Sequence, residues 1–311
     1  MINRLDQNVA QLVLDYGSER AREIVGPRYR ALVDIANEVL TDERQQIGIS
    51  YSGFCLTSLP HKRLSDSAVW QRKGHKVTLL VEPGVMRSKG RTVLYGVPFG
   101  ARARMILLYL QTQAIRTNSR EIELGRSMRT WMERMGIAIG GETTRALREQ
   151  AARISACSLK FFWEGDGAEG WTRGGIVSSG LRFKSVVDDD DQGKLWDDRV
   201  VLDETFWRAL KDHPVPLQEA AIRALAHRSL ALDVYIWLAW RCHEIKGPTD
   251  ISWISLDAQF NTTGRPLKYF KPLFTDALRA AMAAYPDCRL DVEDRGITLR
   301  PSRPPVLKLM T

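Results

Sequence analysis

The sequence contains few cysteines and no closely spaced pair of them. Four occur in 311 residues, at Cys55, Cys157, Cys242 and Cys288. Zinc sites and the disulfide frameworks of small secreted domains need cysteines or histidines at short, paired spacings. We therefore expect reduced thiols in the core and no bound metal.

Long apolar runs and nucleotide-binding loops are also missing. No stretch reaches the roughly 18 uncharged apolar residues of a membrane span, and residues 1–6 lack the apolar region of a signal peptide. No glycine-rich loop leads into Lys-Ser or Lys-Thr, which argues against a helicase or another common NTPase. We expect a cytoplasmic protein without a membrane partner, and its length suggests roughly two domains.

Positive charge exceeds negative charge, but not evenly. The formal net charge of +8 and the pI of about 9.4 favour a polyanionic partner. The excess lies before residue 188 and after residue 247. Between them, acidic residues outnumber basic ones, and residues 188–191 are four consecutive aspartates. We interpret residues 188–194 as an exposed loop or wing tip. A magnesium-dependent nuclease or strand transferase built on these aspartates is the less favoured alternative, because adjacent carboxylates point in different directions.

The C-terminal residues 229–311 have the order of elements of a winged helix, a fold that binds double-stranded DNA. Apolar periodicity and turn residues predict each element in turn. The predicted elements are a buried helix at 230–240 capped by Ser229, a strand at 251–254, a helix from its cap Ser255 to Phe260, a turn at 261–264, a long helix after it, and a hairpin at 288–300 whose turn is 294–296.

One face of the long helix is apolar and another is basic. Leu267, Phe270, Phe274 and Leu278 recur at three- and four-residue steps, which is typical of a packing face. Long cations on the other face suit phosphates and guanine edges. In this unit, the residues that we expect to contact DNA are Arg265, Lys268, Tyr269, Lys271, Thr275 and Arg279, together with Arg295 on the hairpin turn.

Pro272 lies within this helix and leaves two alternatives open. A proline inside a helix removes one hydrogen bond and costs about 3 kcal/mol outside the first turn. Either the helix starts near Phe270, with residues 265–269 as a loop that enters the groove, or it is kinked at Pro272.

An earlier segment shows a similar order of helix, strand, two helices and hairpin. The elements are predicted at 101–116, 120–124, 128–135, 143–156 and 159–187. On the fourth element, Arg145 and Arg148 are expected to bind DNA phosphates. The alternative is that they pair with Glu142 and Glu149 on the same helix.

Three stretches resemble the plasmid-encoded RepA-type replication initiators of proteobacterial plasmids, the RepA C-terminal family. The first runs from Pro98-Phe99-Gly100 to Ile122-Glu123-Leu124-Gly125. The second comprises His213-Pro214-Val215-Pro216-Leu217 and residues 229–239, and the third extends from Tyr269-Phe270-Lys271 to Leu299-Arg300-Pro301-Ser302.

The resemblance implies an α+β protein with two tandem winged-helix domains and no catalytic step or cofactor. Residues 1–97 would be an extension of helices and strands, residues 98–200 a first domain for dimerisation and DNA-backbone contact, and residues 201–311 a second domain that reads origin DNA.

The resemblance also implies a partner set. Such an initiator binds repeated sites in the double-stranded plasmid origin, helps to recruit the host initiator and the replicative helicase, exists as monomer and homodimer, and often represses its own gene. The alternative is a winged-helix transcriptional regulator, an autorepressor without initiator activity.

Overall fold

The computed structural model describes residues 8–88, 90–164, 169–179 and 199–306, and they form the predicted α+β protein. Residues 188–194 and the end of the predicted hairpin at 180–187 lie outside this part. None of the described helices is long and apolar enough to cross a bilayer.

The described helices are α1 (Val9–Val25), α2 (Arg30–Leu40), α3 (Ser52–Leu56), α4 (Gly100–Thr117), α5 (Gly125–Arg134), α6 (Gly141–Ala156), α7 (Glu204–Asp212), α8 (Glu219–Ala224), α9 (Ser229–Glu244), α10 (Trp253–Phe260) and α11 (Leu267–Ala283), with a 3₁₀ turn at Pro27–Tyr29. The strands are β1 (Ile47–Tyr51), β2 (Trp70–Gly74), β3 (Val77–Glu82), β4 (Gly84–Ser88), β5 (Arg91–Tyr95), β6 (Glu121–Glu123), β7 (Ser158–Glu164), β8 (Glu169–Gly174), β9 (Val177–Ser179), β10 (Arg199–Leu202), β11 (Pro214–Gln218), β12 (Thr249–Ser252), β13 (Leu290–Glu293) and β14 (Gly296–Leu299).

The chain divides into two compact units. The terminal unit comprises residues 1–48 and 215–311, and the central unit comprises residues 49–214. These bounds differ from the domain limits expected from the sequence, at 97/98 and 200/201. The physical reason is that the first 97 residues do not form one extension, because α1 and α2 pack with the C-terminal helices whereas β3 pairs with β7 of the central unit.

The core of the terminal unit is built around α9. The apolar run predicted as a buried helix is one, with Leu232, Val234 and Leu238 without exposed surface. Ser229 is the first residue of α9 rather than its cap, which is Arg228. The four cysteines are all buried, as expected of core thiols, and Cys242 lies near the end of this helix.

Aromatic rings join α9 to α10 and α11. The ring centroids of Trp237 and Phe260 are 5.4 Å apart, those of Phe260 and Phe274 are 5.2 Å apart, and those of Phe270 and Phe274 are 5.4 Å apart. Trp253 meets Phe274 edge to face at 6.2 Å. Such ring pairs stabilise a core beyond the area that they bury.

The N-terminal helices belong to this core. The side-chain amide of Asn8, which caps α1, donates to the carbonyl of Pro286 at 2.9 Å. Arg223 on α8 pairs with Glu38 on α2 and, at 3.4 Å, with Asp42. α1 itself is interrupted at Gly17, whose φ of 76° is a left-handed conformation that glycine adopts at little cost.

A three-stranded sheet completes the terminal unit, in the order β12-β14-β13. β13 and β14 form an antiparallel hairpin, and β12 pairs with β14 so that Ser252 faces Gly296. A Cβ on Gly296 would lie 2.0 Å from the carbonyl oxygen of Ile251, so this close pairing requires glycine. Ser252, not Ser255, caps α10, because its side chain accepts the Ser255 N–H.

The central unit contains a sheet with the same connectivity. Its strands lie in the order β6-β10-β9, so the first strand pairs with the last one, as β12 pairs with β14. The described part of the segment predicted as one hairpin at 159–187 does not form an isolated hairpin. β7 and β8 pair with each other, but β7 also pairs with β3, and the two strands complete a four-stranded sheet in the order β2-β3-β7-β8.

A buried arginine fixes the loop that precedes β2. Arg104 on α4 donates to the carbonyls of Leu59, at 2.7 Å, and Pro60, at 3.3 Å. The Nε2 atom of His61 is buried beside it. Burial, followed by the positive charges of Arg104 and Arg72, lowers the pKa of His61 to about 2.

This histidine makes the fold sensitive to acid. Its pKa is depressed in the folded state, so below pH 6.5 the unfolded chain binds a proton that the folded chain does not, and stability falls as the pH falls. Relative to a His61→Gln variant, the wild type should lose about 2 kcal/mol more of unfolding free energy between pH 7 and pH 5. Urea unfolding at both pH values measures this, with His213→Gln, an exposed histidine of the same unit, as the control. Equal pH dependence in the wild type and His61→Gln would contradict the assignment.

Candidate nucleic-acid interface

The structure overturns the first alternative for Pro272, a helix that starts near Phe270. α11 begins at Leu267 and continues through Pro272 to Ala283, so residues 267–269 belong to the helix rather than to a loop. The N–H groups of Tyr269 and Phe270 bond to the carbonyl of Pro266, at 2.9 and 3.2 Å, which closes the first turn. Pro272 is the sixth residue of the helix, so the N–H that it lacks is the one that would bond to the Lys268 carbonyl.

The first turn of α11 and the segment before it carry three exposed residues of the predicted surface. Arg265, Lys268 and Tyr269 are exposed, and 57% of the Tyr269 surface is accessible. The Lys268 ammonium lies 4.7 Å from the Tyr269 ring centroid. The two side chains therefore form one amphipathic edge, with a cation over an aromatic face.

Lys271 and Thr275 are half-buried and more constrained. The Lys271 ammonium lies 5.4 Å from the centroid of the buried Trp253 ring, which holds it towards α10. The Thr275 hydroxyl donates to the Lys271 carbonyl at 2.8 Å, within the helix. Lys271 presents a positioned charge, whereas the Thr275 hydroxyl is already used as a donor.

Arg279 lies in a different environment from Lys268. Its guanidinium bonds to Asp276 at 3.3 Å and stacks 5.5 Å from the Tyr29 ring centroid, beside the start of α2. The predicted basic stripe is therefore divided into a free N-terminal part and a C-terminal part that packs within the terminal unit.

Arg295 lies at the tip of the β13–β14 hairpin, where it was predicted. Its side chain is exposed, and its carbonyl accepts the Trp253 N–H at 3.1 Å, which ties the turn to α10. Glu293 and Asp294 precede it and are also exposed. The tip carries two carboxylates and one cation, so Arg295 does not make it a basic surface.

In the central unit, the arginines of α6 differ in their exposure and in their partners. Arg145 is exposed, Arg148 is half-buried, and Arg153 is buried. Glu149 bonds to Arg153 at 3.0 Å and to Arg63 at 3.3 Å. In the described residues, neither Arg145 nor Arg148 forms an ion pair with Glu142 or Glu149, which was the alternative to phosphate binding.

Arg153 is a structural arginine. It donates to the Val97 carbonyl at 3.3 Å and to Asp66 at 2.7 Å, and its guanidinium faces the Phe99 ring. Hydrogen bonding by Arg153 holds the pKa of Asp66 below its usual value. Sequence alone does not reveal this role of Arg153, because a helical period does not show which loop covers the end of the helix.

The sequence also missed the centre of the exposed face of α11. Pro272, Leu273 and Asp276 are exposed and follow Tyr269 at three, four and seven residues, so all four share one helix face. Lys268 and Lys271 lie on its flank. The three- and four-residue spacing from Tyr269 could have predicted this exposed face. The prediction followed the charged residues of the neighbouring stripe instead.

Comparison with known proteins identifies the family. The family described as plasmid encoded RepA protein matches residues 97–257, more than half of the chain. The chain belongs to this family. The matched range includes the first two resembling stretches, whereas α11 and the third stretch lie beyond it. Membership supports a role in plasmid replication.

Other comparisons add little. No curated protein matches the chain. Among solved structures, a selenomethionine derivative of domains 2 and 3 of RctB is 11% identical, covers 73% of this chain and 82% of that chain, and has a TM-score of 0.47. A second structure of RctB domains 2–3 is 12% identical, covers 73% of this chain and 81% of that chain, and has a TM-score of 0.45. At these values, neither similarity carries an inference about function.

The unfolding free energy distinguishes the structural arginine of α6, Arg153, from the exposed Arg145. Arg153→Met removes a buried guanidinium from the Val97 carbonyl, Asp66 and Glu149, and should lower the unfolding free energy by about 2 kcal/mol, since the two carboxylates keep access to water. Arg145→Met, the exposed control, should change it by less than about 0.5 kcal/mol. Urea unfolding of the two variants measures both values, and equal stability would remove the structural role of Arg153.

Proposed function

We propose that the chain is a plasmid replication initiator that binds repeated sites in the double-stranded DNA of its own origin. The observation that carries the proposal is the family match over residues 97–257. The net charge of +8 and the exposed cations before and within the first turn of α11, Arg265 and Lys268, are consistent with a polyanionic partner.

In this proposal, each unit contains a winged helix. In the terminal unit the helices would be α9, α10 and α11, and in the central unit α4, α5 and α6. Support comes from the shared connectivity of the sheets β12-β14-β13 and β6-β10-β9, in which the strand after the first helix pairs with the last strand. A helix such as α11, which packs on α9 and α10 through one face and exposes the opposite face, fits the major groove.

The proposal assigns different tasks to the two winged helices. α11 would read origin bases, with Lys268, Lys271 and Arg265 on phosphates or guanine edges and the β13–β14 hairpin as the wing. The central unit would contact the DNA backbone through Arg145 and Arg148 and mediate dimerisation. The protein would act by binding, without a catalytic step, and would bring the host initiator and the replicative helicase to the origin in the cytoplasm.

A replication assay separates this function from its alternative. A plasmid that carries its own origin should transform a host only when this gene is intact, in cis or supplied in trans. A transcriptional regulator without initiator activity would leave plasmid replication unchanged on deletion of the gene, and would protect an inverted repeat at a promoter from nuclease digestion rather than repeats at the origin. That second result would overturn the initiator assignment and retain DNA binding.

The phosphate contacts can be tested by salt dependence. Each phosphate neutralised contributes about 0.9 to the slope of log affinity against log salt, because it releases condensed counterions. Lys268→Ala should therefore reduce the slope on an origin duplex by about 0.9. Arg279→Ala should reduce it less, because Arg279 already pairs with Asp276 and packs on Tyr29. Fluorescence anisotropy at several salt concentrations gives the slopes, and a wild-type slope in Lys268→Ala would move the DNA contact away from this face.

A further inference from the structure

The exposed face of α11 has an apolar centre. Tyr269 is 57% exposed and Leu273, one turn later, is 44% exposed, with the exposed Pro272 between them. On the opposite side of the helix, Phe270 and Phe274 are buried in the aromatic core. The orientation of α11 is thus fixed by its packing, and the three apolar side chains are directed outward together.

Charges are arranged around this centre rather than within it. Lys268 and Lys271 lie on one side of it, and Arg265 precedes it. One turn beyond it, Asp276 is exposed and bonds to Arg279. A carboxylate on the midline repels phosphate, so the midline of α11 suits base edges in the floor of a groove, whereas the cations on one side suit the phosphates of one wall.

The major groove offers one apolar group, the C5 methyl of thymine. Resting on the function proposed above, we propose that Tyr269, Pro272 and Leu273 form the specificity-determining contact of α11 and recognise thymine methyl groups in the binding site. A methyl group buried between Leu273 and Tyr269 leaves water and gains affinity, whereas cytosine and uracil at the same position offer no group to fill the contact.

A protein partner fits this face less well. A specific protein interface buries about 800 Å² on each partner, which three side chains on one helix do not supply. The neighbouring cations also favour a polyanion. Self-association through the same face is an outcome of the test below.

The test uses the full-length protein and duplexes obtained by selection from a random library. In the selected sequence, each thymine is replaced singly by deoxyuridine, which removes only the methyl group. At one or more positions, the replacement should weaken wild-type binding by about fourfold, the expected effect of one buried methyl group.

Two variants attribute that loss to α11. In Leu273→Ala, thymine and deoxyuridine at the sensitive position should bind equally, because the contact is already lost. Leu14→Ala makes the same chemical change at a leucine that is 59% exposed on α1, and should keep the fourfold difference. Thermal unfolding and sedimentation of both variants check that the fold and the oligomeric state are unchanged.

The outcomes separate the two proposals. If the wild type selects no duplex sequence, the proposed DNA-binding function fails. If it selects one but no deoxyuridine replacement weakens binding, thymine recognition by this face is overturned while DNA binding stands. The same holds if deoxyuridine still weakens the binding of Leu273→Ala. If Leu273→Ala retains the wild-type methyl dependence and changes only the oligomeric state, the face is a contact between copies of the chain.

Discussion

The orientation of α11 depends on the burial of aromatic rings against α9. Phe274 meets the rings of Phe260, Trp253 and Phe270, and Phe260 meets Trp237 on α9, at distances typical of edge-to-face and tilted pairs. Because a helix has a fixed angular period, burial of one face fixes the opposite face without any further contact. The exposed cations and apolar side chains of α11 are therefore set by the core rather than by their own interactions.

Pro272 is tolerated within this arrangement for a local reason. The lost hydrogen bond falls in the second turn, between the carbonyl of Lys268 and Pro272, both of which are exposed residues. A carbonyl near solvent can bond to water, which makes the loss smaller than in a buried helix. The proline also gives the exposed face a rigid apolar group, since its ring has little conformational freedom.

Local sequence patterns predicted individual helices and strands, but they do not show which distant segments of the chain pack together. The apolar run, interrupted by Asp233 alone, made α9 predictable, and the four-residue spacing of Phe270, Phe274 and Leu278 predicted the packing face of α11. The division into units was not predictable, because the pairing of α1 and α2 with the C-terminal helices leaves no periodic signal in either segment. The split of the basic stripe at Arg279 has the same cause: Tyr29, which covers it, is distant in sequence.

The terminal unit is assembled from two distant segments, residues 1–48 and 215–311, which has a consequence for folding during synthesis. Asn8 bonds to a carbonyl 278 positions later, and Glu38 pairs with an arginine 185 positions later. Residues 215–311 emerge from the ribosome on the order of ten seconds or more after residue 48 at about 5–20 residues per second. The central unit can fold in that interval, before α1 and α2 meet their partners. The unit that carries α11 is completed only after residues 215–311 have been made, so a chain terminated before them lacks that helix and its supporting core together.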